Sequence, residues 1–415
     1  MGASASRVPL IYLYVPISVA REYRPVMRSP LGRVKAGLLR FRDRLSWTLL
    51  RSSAFRYHAW RTTEYTNRGD IAIRQAIRQL LERKLGYAAQ FVELDWGRLD
   101  EEAVARINAG ADLFVICGGG YVSADAATGA LSAVMNDVDA LAVIRCPVAA
   151  FGIGYNCVLE CPRDDVAKVL PADTVRKLKG LVAACDLIAS RDSKLAHILA
   201  EYATAPIPVI GDPALFLDTA AQKPLAIGQG SINVGLNLAL HGPISAGIFR
   251  AHFEVYADFL KKLQQLQPVC FWYFVHCETE RIAIDLLRKR GIKLEVVDLP
   301  PRELIAAYAQ MDFVICQMLH ASILSANAGV PSINIGYDVK NASFYELMGQ
   351  PELCIPHDEI SAKRLWDLWC EAFARRTALA SQLVLRKTEL LGVTSRAVED
   401  TAGLIDRKTG EAQRI

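Results

Sequence analysis

No run of apolar residues in this chain reaches the roughly 18 needed to cross a bilayer. The longest candidate, Val8 to Ala20, is interrupted by two prolines and lacks the charged leader and small-residue cleavage site of a secretory signal. Charge of one sign is scarce too, a net +4 over 415 residues, so nothing argues for nucleic acid as a partner. The ten cysteines include no paired CxxC repeats, and Cys157 and Cys161 stand apart from other ligand pairs. They read as reduced core residues of a cytoplasmic protein, with no metal site. The GxGxxG dinucleotide fingerprint is missing, and so is any long-period repeat or low-complexity tract.

What remains is the make-up of an α/β protein, 52% apolar and 22% charged, long enough for two domains with separate cores. Strands and helices alternate in both halves, which predicts two doubly wound, Rossmann-like sheets facing a cleft. We divide the chain into a first domain over 1–220, a second over 221–360, and a C-terminal helical segment over 361–415 that packs back on the first. The linker is the Gln-, Gly- and Pro-bearing stretch Ala221 to Ser231. Helices are expected over Ser361 to Ala374 and Ala378 to Leu391, and short strands over Val209 to Ile210 and Met311 to Ile315. Residues 21–61 hold eleven Arg or Lys against two acids, with Val34, Leu38, Phe41, Leu45 and Leu49 at helical spacing. That is a basic amphipathic helix, suited either to packing on the body or to the anionic inner face of a membrane.

Ligands of such sheets bind beyond the carboxyl ends of strands, where helix N-termini offer free N–H groups and a favourable dipole for anions. The stretch Cys316 to Gly349 is the richest of these ends, with His320, Ser322 and Lys340 all able to contact a phosphate or carboxylate. An ordinary strand–helix–strand unit with a capping His would show the same pattern. Gly118, Gly119 and Gly120 follow the apolar strand DLFVIC and allow close backbone approach to a substrate. Arg191 ends another strand, where a guanidinium suits bidentate anion binding or a salt bridge to Asp192. Asp70, in Asn67-Arg68-Gly69-Asp70, opens a helix, and His276 closes a strand of the second half.

In order along the chain, NRGD (67–70), GGG (118–120), GIG (152–154), SRDS (190–193), GDPA (211–214) and LHASILSANAGVPSINIGYDVK (319–340) resemble the polysaccharide pyruvyl transferase family. The resemblance spans about residues 60 to 350 and implies a fold like the two-domain GT-B glycosyltransferases. It also implies transfer of the enolpyruvyl group of phosphoenolpyruvate to a sugar of a cell-surface polysaccharide or its lipid-linked precursor, with no cofactor. On that footing His320 is the general acid and Asp70 the base. Arg191 then contacts phosphoenolpyruvate, Leu319 lines the same pocket, and Ser322, Lys340, Gly118, Gly119, Gly120 and His276 complete the substrate contacts.

One position departs from the family pattern. Members usually carry Arg two residues before the His, and here Met318 stands there. Either Lys340, His276 or an arginine of the basic segment replaces its charge, or the donor is a different one, or activity is lost. Two other readings follow from the same architecture: a nucleotide-sugar glycosyltransferase, with Glu295 or Asp298 as the nearest ribose-binding acid, and a non-catalytic relative that binds glycan or membrane.

Overall fold

The computed structural model describes residues 8–15, 34, 38, 41, 67–86, 89–125, 128–158, 170–221, 224–227, 230–238, 242–277 and 280–412. The basic helix expected over 21–61 lies outside them, apart from Val34, Leu38 and Phe41, which are helical and 63%, 66% and 67% exposed.

The first unit carries β1 (Leu10–Val15), α1 (Arg68–Lys84), β2 (Gln90–Asp95), α2 (Glu101–Gly110), β3 (Leu113–Cys117), β4 (Val122–Asp125) and α3 (Val138–Leu141). It continues with β5 (Val148–Ile153), β6 (Tyr155–Val158), α4 (Ala172–Ala184), β7 (Leu187–Ser190) and α5 (Ser193–Ala200). Its main sheet is parallel, in the order β2-β1-β3-β5-β7, and β4 pairs with β6 in a small separate ribbon. β3 (LFVIC) and β5 (VAAFGI) are buried at every residue, which is why they read as unbroken apolar runs. The order reverses between β1 and β3, so the loop carrying Gly118 to Gly120 leaves the sheet at a switch point.

The second unit carries β8 (Ile232–Asn237), α6 (Gly242–Leu266), β9 (Val269–Phe274), α7 (Arg281–Lys289), β10 (Leu294–Val297), α8 (Pro301–Tyr308) and β11 (Phe313–Cys316). α9 (Leu319–Asn327), β12 (Ser332–Gly336), α10 (Val339–Leu347), β13 (Cys354–Pro356) and α11 (Ala362–Ala374) follow. All six strands are parallel in the order β10-β9-β8-β11-β12-β13, with the reversal between β8 and β11. α9 and His320 spring from that reversal.

The last helix, α12 (Arg376–Ala412), runs 37 residues, well past the expected end at Leu391. It lies against α1 and β7: Thr394 Oγ1 donates to the carbonyl of Ile210 at 3.0 Å, and Lys84 pairs with Glu399 at 2.9 Å. The strand expected at Val209 to Ile210 is corrected to a single bridge between Ser190 and Val209. Pro206 and Pro208 cannot donate to a ladder, and Gly211 turns away at a φ of +75°. The strand expected from Met311 begins two residues later, at Phe313.

Candidate active site

α9 begins one residue after the Met318 cap, so His320 is its second residue, where backbone N–H groups have no helical partner. The imidazole rests on Gly69, the second residue of α1: a Cβ there would lie 2.0 Å from ring atoms of His320. Two helix N-termini, one from each unit, therefore meet at this ring. Burial depresses the basicity of His320 well below its ordinary value, and Arg191, His276 and Lys340 add to the effect. The ring is neutral at pH 7.

Each residue of the NRGD turn has its own task. Asn67 Oδ1 accepts from Gly69 N at 3.0 Å and caps α1. Arg68 is fully buried and reaches into the second unit, where it pairs with Asp298 and donates from Nε to the carbonyl of Leu299 at 2.9 Å. Its backbone N–H donates to the carbonyl of His276 at 3.1 Å. Gly69 leaves room for the His320 ring, and Asp70 sits half-buried in the first turn.

Around His320 the first unit contributes a charge cluster. Arg191 Nη1 lies 3.4 Å from Asp212 Oδ2, its Nη2 donates to Asn156 Oδ1 at 3.3 Å, and its Nε is 3.8 Å from Asp192 Oδ2. Asp212 Oδ2 is in turn 3.9 Å from His320 Nε2. The guanidinium is nearly buried and packs where a Cβ of Gly154 would fall. Asp192 Oδ1 caps α5 through Leu195 N and its Oδ2 accepts from Tyr155 N, while burial pushes the carboxyls of Asp192 and Asp212 up against the pull of Arg191. The salt bridge expected between Arg191 and Asp192 is present, but it lies buried rather than at the surface, and Asp212 is the nearer partner.

The second unit supplies Lys340. Its Nζ lies 3.7 Å from Asp338 Oδ2 and 5.5 Å from the Tyr337 ring centre. Burial opposes its charge, but Tyr337 and Asp338 outweigh that and hold the ammonium above its usual range. Asp338 Oδ1 caps α10 through Lys340 N and accepts from Cys157 N at 3.2 Å, a second tie between the units. Met318 is buried with Cys277 beside Tyr337, so an apolar patch occupies the place of the family arginine.

Three expected contacts change character. Ser322 is fully buried, and its Oγ is engaged by Cys316 Sγ, Asn334 Nδ2 and Tyr345 OH. Two residues along a helix from His320, it points to the opposite face, and the expectation that it reaches an anion is corrected. Leu319 joins the apolar core at 2% exposure, so any contact from that position comes through its backbone. His276 is fully buried, shares a 2.9 Å hydrogen bond with Tyr308 OH, and is pushed down to about 3 by burial and by Arg68. It carries no charge at pH 7 and does not replace the missing arginine. Gly118 and Gly120 leave room for Ile73 and Asn156, and Gly119 accepts from Gly154 N at 2.8 Å, which pins the glycine loop beside Arg191. Asp212, Arg68 and Asn156 escape a sequence reading because GDPA and NRGD look like turns and nothing marks Asn156. Among the described residues no three His, Cys, Asp or Glu are grouped to hold a metal.

The model of the polysaccharide pyruvyl transferase family matches residues 67–339, which takes in Asp70, Arg191, Asp212 and His320 and ends one residue before Lys340. No curated protein matches the chain. Among solved structures, a UDP-glucosyltransferase from Polygonum tinctorium is similar at 11% identity and a TM-score of 0.50, covering 97% of this chain and 100% of that one. An alpha,alpha-trehalose-phosphate synthase (UDP-forming) from Burkholderia vietnamiensis is similar at 13% identity and a TM-score of 0.45, over 96% and 97% of the two chains. A UDP-N-acetylglucosamine 2-epimerase from Listeria monocytogenes matches at 12% identity and 0.47, over 76% and 88%. The fold is that of the two-domain GT-B proteins.

Proposed function

The chain belongs to the polysaccharide pyruvyl transferase family, and on that premise we propose that it moves the enolpyruvyl group of phosphoenolpyruvate onto two hydroxyls of a sugar. The product is a pyruvate ketal on a cell-surface polysaccharide or its lipid-linked precursor, with inorganic phosphate released. The observation that carries this reading is the meeting at His320 of the α1 and α9 N-termini, with Arg191 and Lys340 alongside. Helix N-termini with two cations suit a small ligand bearing both a phosphate and a carboxylate.

In this scheme Lys340 and Arg191 hold the donor. His320 gives a proton to its methylene carbon and leaves an oxocarbenium-like centre at the adjoining carbon. A sugar hydroxyl attacks that centre while Asp70 takes its proton. The second hydroxyl then displaces phosphate, its proton leaving with the departing phosphate, and closes the ketal. Burial and the neighbouring cations keep His320 neutral on their own. A bound trianion beside the ring favours the imidazolium, so donor binding itself charges the acid. The half-buried Gly120 and Tyr337, at the edges of the glycine loop and the apolar patch, are assigned to the acceptor. The exposed apolar row Val34, Leu38 and Phe41 within the basic segment suits a lipid-linked acceptor at an anionic membrane face. Among the described residues no helix is long and apolar enough to cross a membrane.

The glycosyltransferase reading draws on the fold and needs an acid for a ribose. Asp298 is engaged by Arg68 and Arg281, and Glu295 lies exposed on β10. Phosphate release from phosphoenolpyruvate, dependent on envelope glycan from the host and lost in His320→Ala, tests the proposal. A chain that releases none with any such glycan is not a pyruvyl transferase.

A further inference from the structure

We propose that Asp212 is the positioning residue of this site, fixing Arg191 and aiming the His320 imidazole through one carboxylate oxygen. The inference rests on the reading of His320 as the acid and adds which ring nitrogen does the work. Asp212 Oδ2 stands 3.4 Å from Arg191 Nη1 and 3.9 Å from His320 Nε2. That imidazole nitrogen is buried and has no hydrogen-bond partner. A movement of about 1 Å turns the approach into a hydrogen bond. With Nε2–H directed at Asp212, the transferable proton resides on Nδ1, by the same logic through which a carboxylate fixes the tautomer of any catalytic His.

The carboxylate is held as a positioning group must be. Gly211 turns at a φ of +75°, and Asp212 Oδ1 accepts from Ala214 N at 2.9 Å. The single turn Pro213–Phe216 that follows contacts both α1 and α9. Asn327, at the end of α9, donates to the carbonyls of Ala214 and Leu217 at 2.8 and 2.9 Å. Gly152 makes room for Pro213, whose ring would otherwise lie 2.4 Å from a Cβ. The GIG and GDPA motifs thus serve one carboxylate. The other charged or titratable groups about the ring are Arg191, His276 and Lys340, with Asp70 beside Gly69 and Asp192 behind Arg191.

The test uses the full chain. In wild type, ¹⁵N–¹H correlation of the His320 ring, assigned with His320→Gln, is expected to show the Nε2–H tautomer. In Asp212→Asn, which keeps the cap acceptor but loses the charge, a tautomer mixture is expected. kcat should fall at least thirtyfold with the phosphoenolpyruvate KM within threefold, and Asp212→Glu should recover at least a third of the lost rate. A wild-type ring protonated on Nδ1 overturns the proposal whether or not the variant folds. So does an Asp212→Asn enzyme with kcat within twofold and an unchanged tautomer. If the wild type turns over no phosphoenolpyruvate while its tautomer still depends on Asp212, pyruvyl transfer is lost and the positioning role stands.

Discussion

The ring of His320 lies so close over the α-carbon of Gly69 that any side chain at position 69 would occupy the same space. On helix propensity alone, Gly69→Ala should stabilise α1 by about 1 kcal/mol. With the ring in the way, the gain is expected to vanish and turnover to fall more than tenfold as His320 is displaced. Melting temperature and kcat measured together decide this. An alanine variant that is more stable and fully active would show that the ring and the turn do not meet.

Arg68 is the strut between the two units, bonded at once to Asp298 and to the carbonyl of Leu299. Arg68→Met removes the Arg68 side of the pair with Asp298, which keeps Arg281, and is expected to cost about 3 kcal/mol in denaturant unfolding. Arg68→Lys should do little better, because one ammonium cannot serve both acceptors as a planar fork does. A lysine variant of wild-type stability would contradict the fork.

Stability should depend on pH through a buried pair behind the site. Glu280 accepts from His276 N and Asn237 Nδ2 on one oxygen, and burial pushes its carboxyl from 4.5 up to about 8. The folded chain therefore keeps a proton that the unfolded chain releases. The stability this gives is complete below 4.5 and lost as the pH rises through 8. His276, depressed from 6.5 to about 3, contributes in the opposite sense, with its share present above 6.5 and lost as the pH falls toward 3. Of the two, only Glu280 acts between pH 6.5 and 8, for roughly 2 kcal/mol at most. Glu280→Gln is expected to flatten that part of the curve. An identical slope in the variant would mean Glu280 is ionised when folded.

Much of this was legible in the sequence and some was not, for definite reasons. Fully buried strands such as β3 and β11 announce themselves as apolar runs, and strand ends then mark where His320, Arg191 and Lys340 must gather. β4 (VSAD) and β6 (YNCV) are four residues long and carry no such run, so the sequence does not mark them. Ser322 stands two residues from His320 in sequence but on the opposite helix face, so nearness along the chain does not bring it to the site. Asp212 and Arg68 stayed hidden because a turn motif does not say which distant side chain it serves. Their partners lie 108 and 230 positions away.

Met318 tests how the donor is held. Met318→Arg places a guanidinium beside Tyr337 and within the charge field of Lys340, and it is expected to lower the phosphoenolpyruvate KM about tenfold, near the 1.5 kcal/mol of a charge-assisted bond. Steady-state titration of the donor checks it. A raised KM would mean that the apolar patch itself is part of the donor site.

Ligand-dependent thermal stability in the absence of acceptor bears most directly on whether the cleft takes a small phosphorylated acid. Phosphoenolpyruvate at a hundredfold excess over its Kd is expected to stabilise the chain by about 2.7 kcal/mol. The gain should be lost in Lys340→Met and not reproduced by UDP. Stabilisation by UDP with none from phosphoenolpyruvate would contradict the assignment and turn the cleft into a nucleotide-sugar site.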